Sequence, residues 1–192
     1  MNKTCEIVSI VDCSGSMSPL TQSVIDGFNK FLMEQKKEAG SARLTLIKFD
    51  HEYTLIHDSI DLQEVPALDD KVYVTRGWTA LYDTVGFAVK NVKDRLEKQG
   101  NADRPVIVCI ITDGQDNKSS EYTAEQIRTM IQEQEALGWQ FIYLSAHPDS
   151  FADSTAMGIN QTNSMNFLAT PKGVGDAYSE STARVSQYRS QQ

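Results

Sequence analysis

The sequence predicts an α/β fold: a doubly wound, mostly parallel central sheet of about six strands, with one antiparallel edge strand and helices on both faces. Apolar runs of strand length alternate with stretches of helical periodicity, which is typical of parallel sheets with right-handed crossovers. Two of these runs are almost continuous, as in strands buried on both faces. The length of 192 residues suits a single domain over 1–192.

The first strand and helix follow from the N-terminal pattern. Ile7–Val11 is a nearly continuous run of β-branched residues that stops at Asp12. Ser18 is suited to cap a helix and Pro19 to occupy its first position. Apolar residues then recur at helical spacing as far as Ala39–Gly40, where we expect the helix to end.

A hairpin comes next. Arg43–Phe49 and Tyr53–His57 have strand composition, and only Asp50–Glu52 separates them. So short a link requires an antiparallel pair, which places the second strand at an edge of the sheet. The following stretch, Asp58–Gly77, is polar and irregular, and we expect it to be a long connection of the kind that is often functional.

The rest of the chain continues the alternation. Thr123 and Gln126 have the spacing of a capping box, which predicts the start of the third helix. The expected elements are a helix from Leu81 to about Gly100, a strand at Val106–Ile111, a helix from Thr123 to Gly138, a strand at Gln140–Ser145, a short helix to Gly158, a weak strand at 165–168 and a final helix from Lys172 to Tyr188.

Composition excludes several functions. With 26 acidic and 18 basic residues the net charge is −8, which argues against a general nucleic-acid binder. The longest apolar runs are far shorter than the ~20 residues of a membrane helix, and Met1–Ile7 does not resemble a signal peptide. Cys5, Cys13 and Cys109 lack C-x-x-C spacing, so we expect buried free thiols in a reducing cytosol. The prediction is a cytoplasmic protein.

Two aspartates mark the candidate site. Asp12 and Asp113 follow the first and fourth predicted strands, and parallel strands end at one edge of a sheet, where ligands bind. Asp12, Ser14 and Ser16 occupy alternate positions, so their side chains can converge in an extended turn. Thr79, in the loop before the second helix, adds a hydroxyl. Oxygen-only donors suit a hard cation such as Mg²⁺.

Each serine taken alone is better explained as a helix cap. The D-x-S-x-S of Asp12, Ser14 and Ser16, joined to Thr79 and to the T-D-G that contains Asp113, resembles the von Willebrand factor A domain with its metal-ion-dependent adhesion site. The resemblance covers residues 5–145 and implies a Rossmann-like fold. It also implies that Ser14, Ser16 and Thr79 coordinate the metal directly or nearly so, while Asp12 and Asp113 act largely through waters.

The function implied is a cytoplasmic, non-enzymatic module that holds Mg²⁺, with Mn²⁺ as the other option, and grips an Asp or Glu of a protein partner. Analogy with the family suggests an ATPase-containing complex as the setting. No nucleic acid or membrane is expected as a partner. The alternatives are a Mg²⁺-dependent phosphatase of haloacid dehalogenase type, with Asp12 as nucleophile, and a scaffold domain with an unused metal site. The phosphatase requires an acid at position 14, where this chain has Ser14.

Trp78 departs from the family pattern, in which a small residue commonly precedes the threonine. Two interpretations are open. The ring can line the rim of the ligand site, as aromatic residues do at interfaces, or it can pack beneath the loop. His51, His57 and His147 lack the spacing of a zinc site and are expected to be surface or hairpin residues.

Overall fold

The computed structural model describes residues 3–192 and contains a single six-stranded sheet within them. The strands are β1 (Cys5–Asp12), β2 (Ala42–Phe49), β3 (Tyr53–Asp61), β4 (Val106–Thr112), β5 (Gln140–Ser145) and β6 (Ser164–Asn166). The helices are α1 (Thr21–Lys37), α2 (Leu81–Lys98), α3 (Ala124–Glu135), α4 (Ser150–Ala156) and α5 (Pro171–Ser190).

The strand order is β3-β2-β1-β4-β5-β6, and only the β2–β3 pair is antiparallel within the described chain. The order reverses between β1 and β4, so the loops after these two central strands meet at the carboxyl edge of the sheet. The predicted fold class is confirmed, including the antiparallel edge strand. The single domain over 1–192 stays a prediction, and its residues 1–2 lie outside the described part.

Helices cover both faces of the sheet and create two apolar cores. Along β1, Ile7 and Val11 face one core with α1 and α5, whereas Val8 and Ile10 face the other with α2, α3 and the residues just after α4. Because the sheet is covered on both sides, its central strands are buried throughout. This explains the continuous apolar runs in the sequence. The three cysteines are buried and free, as expected.

The first helix begins later than the sequence suggested. Ser18 and Pro19 lie inside a 3₁₀ helix, Gly15–Leu20, and α1 starts only at Thr21. Pro19 has no N–H to donate, and it stands two residues before α1, which is compatible with proline close to a helix start. The displacement matters for the site, because the 3₁₀ helix starts directly behind Ser14 and holds Ser16.

The β3 strand is longer than expected, and the connection after it contributes to the core. β3 extends to Asp61, with register shifts opposite β2 and a left-handed residue, Ser59, at φ 51°. The following segment is not simply polar, because several of its side chains contribute to the core. These are Leu62, Val65, Leu68 and Tyr73.

A buried carboxylate fixes the other end of the sheet. Glu6 accepts hydrogen bonds from Arg95 (2.7 Å), Arg104 (3.4 Å), Ser59 (2.9 Å) and Thr45 (3.0 Å). It is fully buried, so two arginines offset the cost of removing its charge from water. The cluster ties β1, β2, β3 and α2 together at the amino edge, away from the candidate site.

The contact between α1 and α5 allows a stability test with a matched control. A Cβ at Gly27 would lie 2.3 Å from the buried ring of Tyr178, whereas a Cβ at Gly175 would meet nothing within 4 Å. We expect Gly27→Ala to lower the free energy of unfolding by about 1–2 kcal/mol through overpacking. Gly175→Ala should leave it unchanged or raise it by about 0.5–1 kcal/mol. Urea unfolding measures both, and equal effects would contradict the α1–α5 packing.

Candidate metal centre

Asp12 is the most constrained residue at the carboxyl edge. Its buried carboxylate accepts the backbone N–H of Ser14 at 2.7 Å and the hydroxyl of Thr112 at 2.5 Å. The phenol of Tyr73 donates to the Asp12 carbonyl at 2.6 Å. Asp12 therefore joins the end of β1, the end of β4 and the connection after β3 through three hydrogen bonds.

The serine hydroxyls converge as predicted, but Ser16 lies in the 3₁₀ helix and not in the expected extended turn. The Oγ atoms of Ser14 and Ser16 lie 3.1 Å apart, and the Ser16 hydroxyl donates to Asp113 Oδ1 at 2.7 Å. Ser14 is buried, whereas Ser16 is exposed. The group is thus anchored on the sheet side and open to solvent on the other.

Thr79 is brought to the same place by the segment after β4. Its N–H donates to the Asn117 side-chain oxygen at 2.9 Å, and its carbonyl accepts the Asn117 N–H at 3.0 Å. A Cβ on Gly114 would lie 3.4 Å from Thr79 Oγ1. The hydroxyl of Thr79 therefore lies beside the residue that follows Asp113. All five predicted residues are found at this edge.

The loop that carries Thr79 is also bonded to the first loop. Arg76 N–H donates to the Cys13 carbonyl at 2.9 Å, and Gly15 N–H donates to the Gly77 carbonyl at 3.2 Å. Gly77 has φ 68°, and a Cβ there would lie 2.1 Å from His51 Nδ1. Only glycine satisfies both conditions without displacing the loop.

Asp50, at the end of β2, holds that loop from the other side. Its buried carboxylate accepts Arg76 Nε at 2.7 Å and lies 3.0 Å from His51 Nδ1, while its carbonyl accepts the Ala80 N–H at 2.7 Å. The charge of Asp50 is thus paired within the protein. It is a third strand-end carboxylate, but one that anchors the Thr79 loop.

Sequence reasoning did not find four residues that shape the centre. They are Asp50, Tyr73, Thr112 and Asn117, which act by hydrogen bonding to other segments. The T in T-D-G was the available indication for Thr112. Asp116 adds a contact with the start of α2, because its carboxylate accepts the Ser119 hydroxyl at 2.5 Å and the Tyr82 N–H at 3.2 Å.

Burial raises the pKa of both site carboxyls. For Asp12 it raises the pKa to about 6, although hydrogen bonds from Thr112 and Ser14 act in the opposite direction. For Asp113 burial also raises the pKa, opposed by the Ser16 hydroxyl and by the nearby His147. The ionised form of each carboxyl is therefore held at a cost, which a bound cation would reduce.

The donor set fits a hard divalent cation. It consists of two carboxylates and three hydroxyls, all oxygen ligands of the kind that Mg²⁺ and Mn²⁺ prefer. Across residues 3–192, no group of three or more His, Cys, Asp or Glu side chains is arranged to hold a metal. A metal at this edge would therefore need hydroxyl oxygens as well as carboxylates among its ligands.

Trp78 lies next to Thr79 with 65% of its surface exposed. The interpretation that the ring packs beneath the loop is therefore wrong, and the exposed indole is available for contact at the metal edge.

Among the described residues, all helices are too short or too polar to cross a membrane.

Comparison with known proteins places this geometry in a family. The family model of the von Willebrand factor type A domain matches residues 6–183. No curated protein matches the sequence. Several solved structures share the fold at low identity, and their similarity therefore concerns the fold alone.

One is the Plasmodium vivax TRAP protein in a manganese-loaded crystal structure, with 13% identity, a TM-score of 0.65 and coverage of 98% of this chain and 74% of that one. Proximal thread matrix protein 1 from the mussel byssus, with a zinc-occupied MIDAS motif, has 11% identity, a TM-score of 0.65 and coverage of 96% and 46%. The domain of the type V pili tip protein Mfa5 from Porphyromonas gingivalis has 11% identity, a TM-score of 0.66 and coverage of 96% of each chain. The chain thus spans less than half of the mussel protein.

The raised pKa of Asp12 predicts a pH dependence of stability. Its ordinary value is 3.8 and its value in the folded chain is about 6, so between these pH values the native state holds a proton that the unfolded chain releases. The resulting stabilisation is complete below about pH 4 and is lost as the pH rises through about 6. It amounts to at most about 3 kcal/mol.

Urea unfolding in the presence of chelator, at pH 4.5 and at pH 7, measures this effect. The Asp12→Asn variant keeps the side-chain shape but has no titrating carboxyl. Its free energy of unfolding should therefore lack the decrease from pH 4.5 to pH 7 that Asp12 causes in the wild type. An equal change in the two proteins would contradict the assignment of the raised pKa to Asp12.

Proposed function

The chain belongs to the von Willebrand factor type A domain family, and from this premise we propose that it is a cytoplasmic, metal-dependent protein-binding module. The observation that carries the proposal is the hydrogen-bonded row from Ser14 through Ser16 to Asp113. It joins loops 97 residues apart into one oxygen-rich cluster at the solvent-facing edge of the sheet.

We assign the metal-ligand roles to five residues. Ser14, Ser16 and Thr79 supply neutral hydroxyl ligands, and Asp12 and Asp113 supply negative charge largely through bridging water. The burial of Asp12 and the engagement of both its carboxylate oxygens support an indirect role for that residue. Asp113 is bonded to the hydroxyl of Ser16, a proposed ligand, which supports the same role.

We propose Mg²⁺ as the resident ion, with Mn²⁺ as a substitute, because the cluster offers only oxygen donors. The manganese in the TRAP structure and the zinc in the mussel protein are properties of those proteins. A bound divalent ion would supply a coordination position open to an external oxygen ligand. Hydroxyl ligands do not neutralise the ion, so that position favours a carboxylate over water.

The partner that we propose is a protein with an accessible Asp or Glu. The net charge of −8 opposes the approach of an acidic partner at long range. That repulsion is screened over roughly 8 Å at physiological ionic strength, whereas the ion acts at bonding distance. By analogy with the family, the proposed setting is a complex that contains an ATPase.

The phosphatase alternative is disfavoured by the surroundings of Asp12. A nucleophilic carboxylate needs a free oxygen facing the substrate, and both oxygens of Asp12 are buried and hydrogen bonded. Ser14, at the position of the required general acid, has no acidic proton to give to a leaving group. The scaffold alternative differs from the proposal only in metal binding, which can be measured directly.

Metal uptake is the first test of the proposed function. We expect calorimetry to detect one Mg²⁺ or Mn²⁺ per chain. Saturation at about 100 times Kd should stabilise the fold by about 3 kcal/mol and raise Tm by roughly 5–10 °C. The double variant Ser14→Ala, Ser16→Ala should lose this uptake because it removes two proposed ligands.

Ser18→Ala is the matched control, since Ser18 is exposed in the same 3₁₀ helix and outside the cluster. It should bind metal as the wild type does. Uptake that is absent in the wild type, or unchanged in the double variant and in Thr79→Ala, would refute the proposed site and leave the scaffold alternative.

The second test is hydrolysis. We expect no Mg²⁺-dependent turnover of p-nitrophenyl phosphate above the level of the Asp12→Asn variant, because both carboxylate oxygens of Asp12 are hydrogen bonded and a serine occupies position 14, where the phosphatase needs an acid. Turnover that requires Mg²⁺ and disappears in Asp12→Asn would establish the phosphatase instead.

A further inference from the structure

Exposed apolar side chains are concentrated at the metal edge. Of six large exposed hydrophobic residues in the described chain, four lie on segments that follow or cross the carboxyl ends of strands. These four, which we call the apolar rim, are Val74, Trp78, Phe151 and Leu168. Scattered exposed hydrophobic residues need no explanation, but a concentration around one site indicates a contact surface.

The first half of the rim, Val74 and Trp78, lies on the side of β1 and β2. Its segment is fixed there because Tyr73 donates to the Asp12 carbonyl at 2.6 Å and Lys48, in β2, donates to the Val72 carbonyl at 2.6 Å. The two backbone bonds between this segment and the first loop add further support. Hydrogen bonds to the first loop and to β2 therefore hold the segment that carries Val74 and Trp78 in place.

The second half, Phe151 and Leu168, lies on the side of β5 and β6. Phe151 is in the first turn of α4, which follows the carboxyl end of β5. Leu168 is the second residue after β6 and follows Phe167, whose N–H donates to the carbonyl of Ser145 at 3.0 Å. Since β5 adjoins β4, this half lies on the Asp113 side of the cluster.

The two halves thus flank the hydroxyl cluster. Neighbouring strands are about 4.8 Å apart, so the end of β6 lies roughly 10 Å from the end of β4. An extended peptide advances about 3.3 Å per residue. If the acidic side chain of such a peptide reaches the cluster, the residues about three positions before and after it lie over the two halves of the rim.

We propose that the rim selects the partner: the site takes an extended protein segment in which one Asp or Glu is flanked on both sides, within about three residues, by large apolar or aromatic side chains. The inference rests on the proposed metal-dependent function and specifies its partner. The carboxylate meets the cluster between the two halves, and the flanking side chains cover the rim. Apolar contact adds affinity that the net charge of −8 does not oppose.

The charge of the chain also favours this occupant over a membrane. An anionic lipid surface attracts basic segments, and a chain with a charge of −8 would be repelled from it. A peptide with one acid and apolar flanks encounters the smallest repulsion compatible with a metal ligand.

The test is selection of linear random peptides displayed on phage against the immobilised intact domain in Mn²⁺, with elution by chelator. We expect the eluted clones to share an Asp or Glu with large apolar residues within about three positions on both sides. A synthetic peptide from this set should lose binding when its acid is changed to the amide, and also when its flanks are changed to serine.

Matched variants assign the effect to the rim. Leu168 and Leu137 are 73% and 67% exposed, but Leu137 lies in the turn before β5, at the opposite edge. Leu168→Ser should weaken peptide binding about fivefold and Trp78→Ser about tenfold or more, whereas Leu137→Ser should have no effect. Calorimetry with Mn²⁺ alone should give the same Kd for all three variants and the wild type.

The outcomes separate the two proposals. If Mn²⁺ binds but the eluted clones carry an acid without apolar flanks, or no clone is released by chelator, the inference about the rim is wrong. The same holds if Leu168→Ser and Leu137→Ser behave alike, or if sedimentation shows that Mn²⁺ turns the domain into a dimer through this edge. If Mn²⁺ itself does not bind, the proposed function fails.

Discussion

The hydrogen bonds that fix Asp12 are the constraint on which the carboxyl edge depends. β1 and β4 are adjacent and parallel, so their ends meet, but adjacency alone does not orient the loops that follow. The carboxylate does this by accepting from Ser14 on one side and from Thr112 on the other. The bond from the Ser14 N–H turns the chain after β1, and the Ser16 hydroxyl then reaches Asp113, where the loop after β4 begins. The bond from Thr112 sets the strand end from which Asp113 projects.

Four of the five candidate residues were predictable because each is specified by local information. Alternation within Asp12–Ser16 indicated convergent side chains, although Ser16 lies in a 3₁₀ helix and not in an extended turn. A strand followed by Asp113 puts a carboxylate at the same edge. Thr79 required the family resemblance, since its loop has no periodicity of its own. The fold class followed from alternating apolar runs and one short hairpin link.

The missed residues act over distance and through the backbone, which a sequence pattern does not record. Asn117 holds Thr79 by a pair of bonds across 38 positions, and Tyr73 reaches the Asp12 carbonyl across 61. Asp50 resembles an ordinary hairpin residue until its pairing with Arg76 is seen. The late start of α1 has a similar cause: Ser18 and Pro19 are good helix starters, but the packing that buries Met17 and Leu20 favours one 3₁₀ segment first.

The two buried carboxylates of β1 differ in a way that bears on function. Glu6, at one end of the strand, is paired with Arg95 and Arg104, so its charge is balanced inside the protein. Asp12, at the other end, receives a backbone N–H and a hydroxyl, which are neutral donors. Burial accordingly raises the pKa of Asp12 to about 6, and the nearby Asp113 acts in the same direction. β1 thus carries two buried acids, and arginines pair with only one of them. Asp12 lacks such a positive partner, and it lies beside the hydroxyl oxygens of Ser14, Ser16 and Thr79. A divalent cation from solution matches both the missing charge and the oxygen donors, and this is the physical reason for placing the proposed metal at the carboxyl edge.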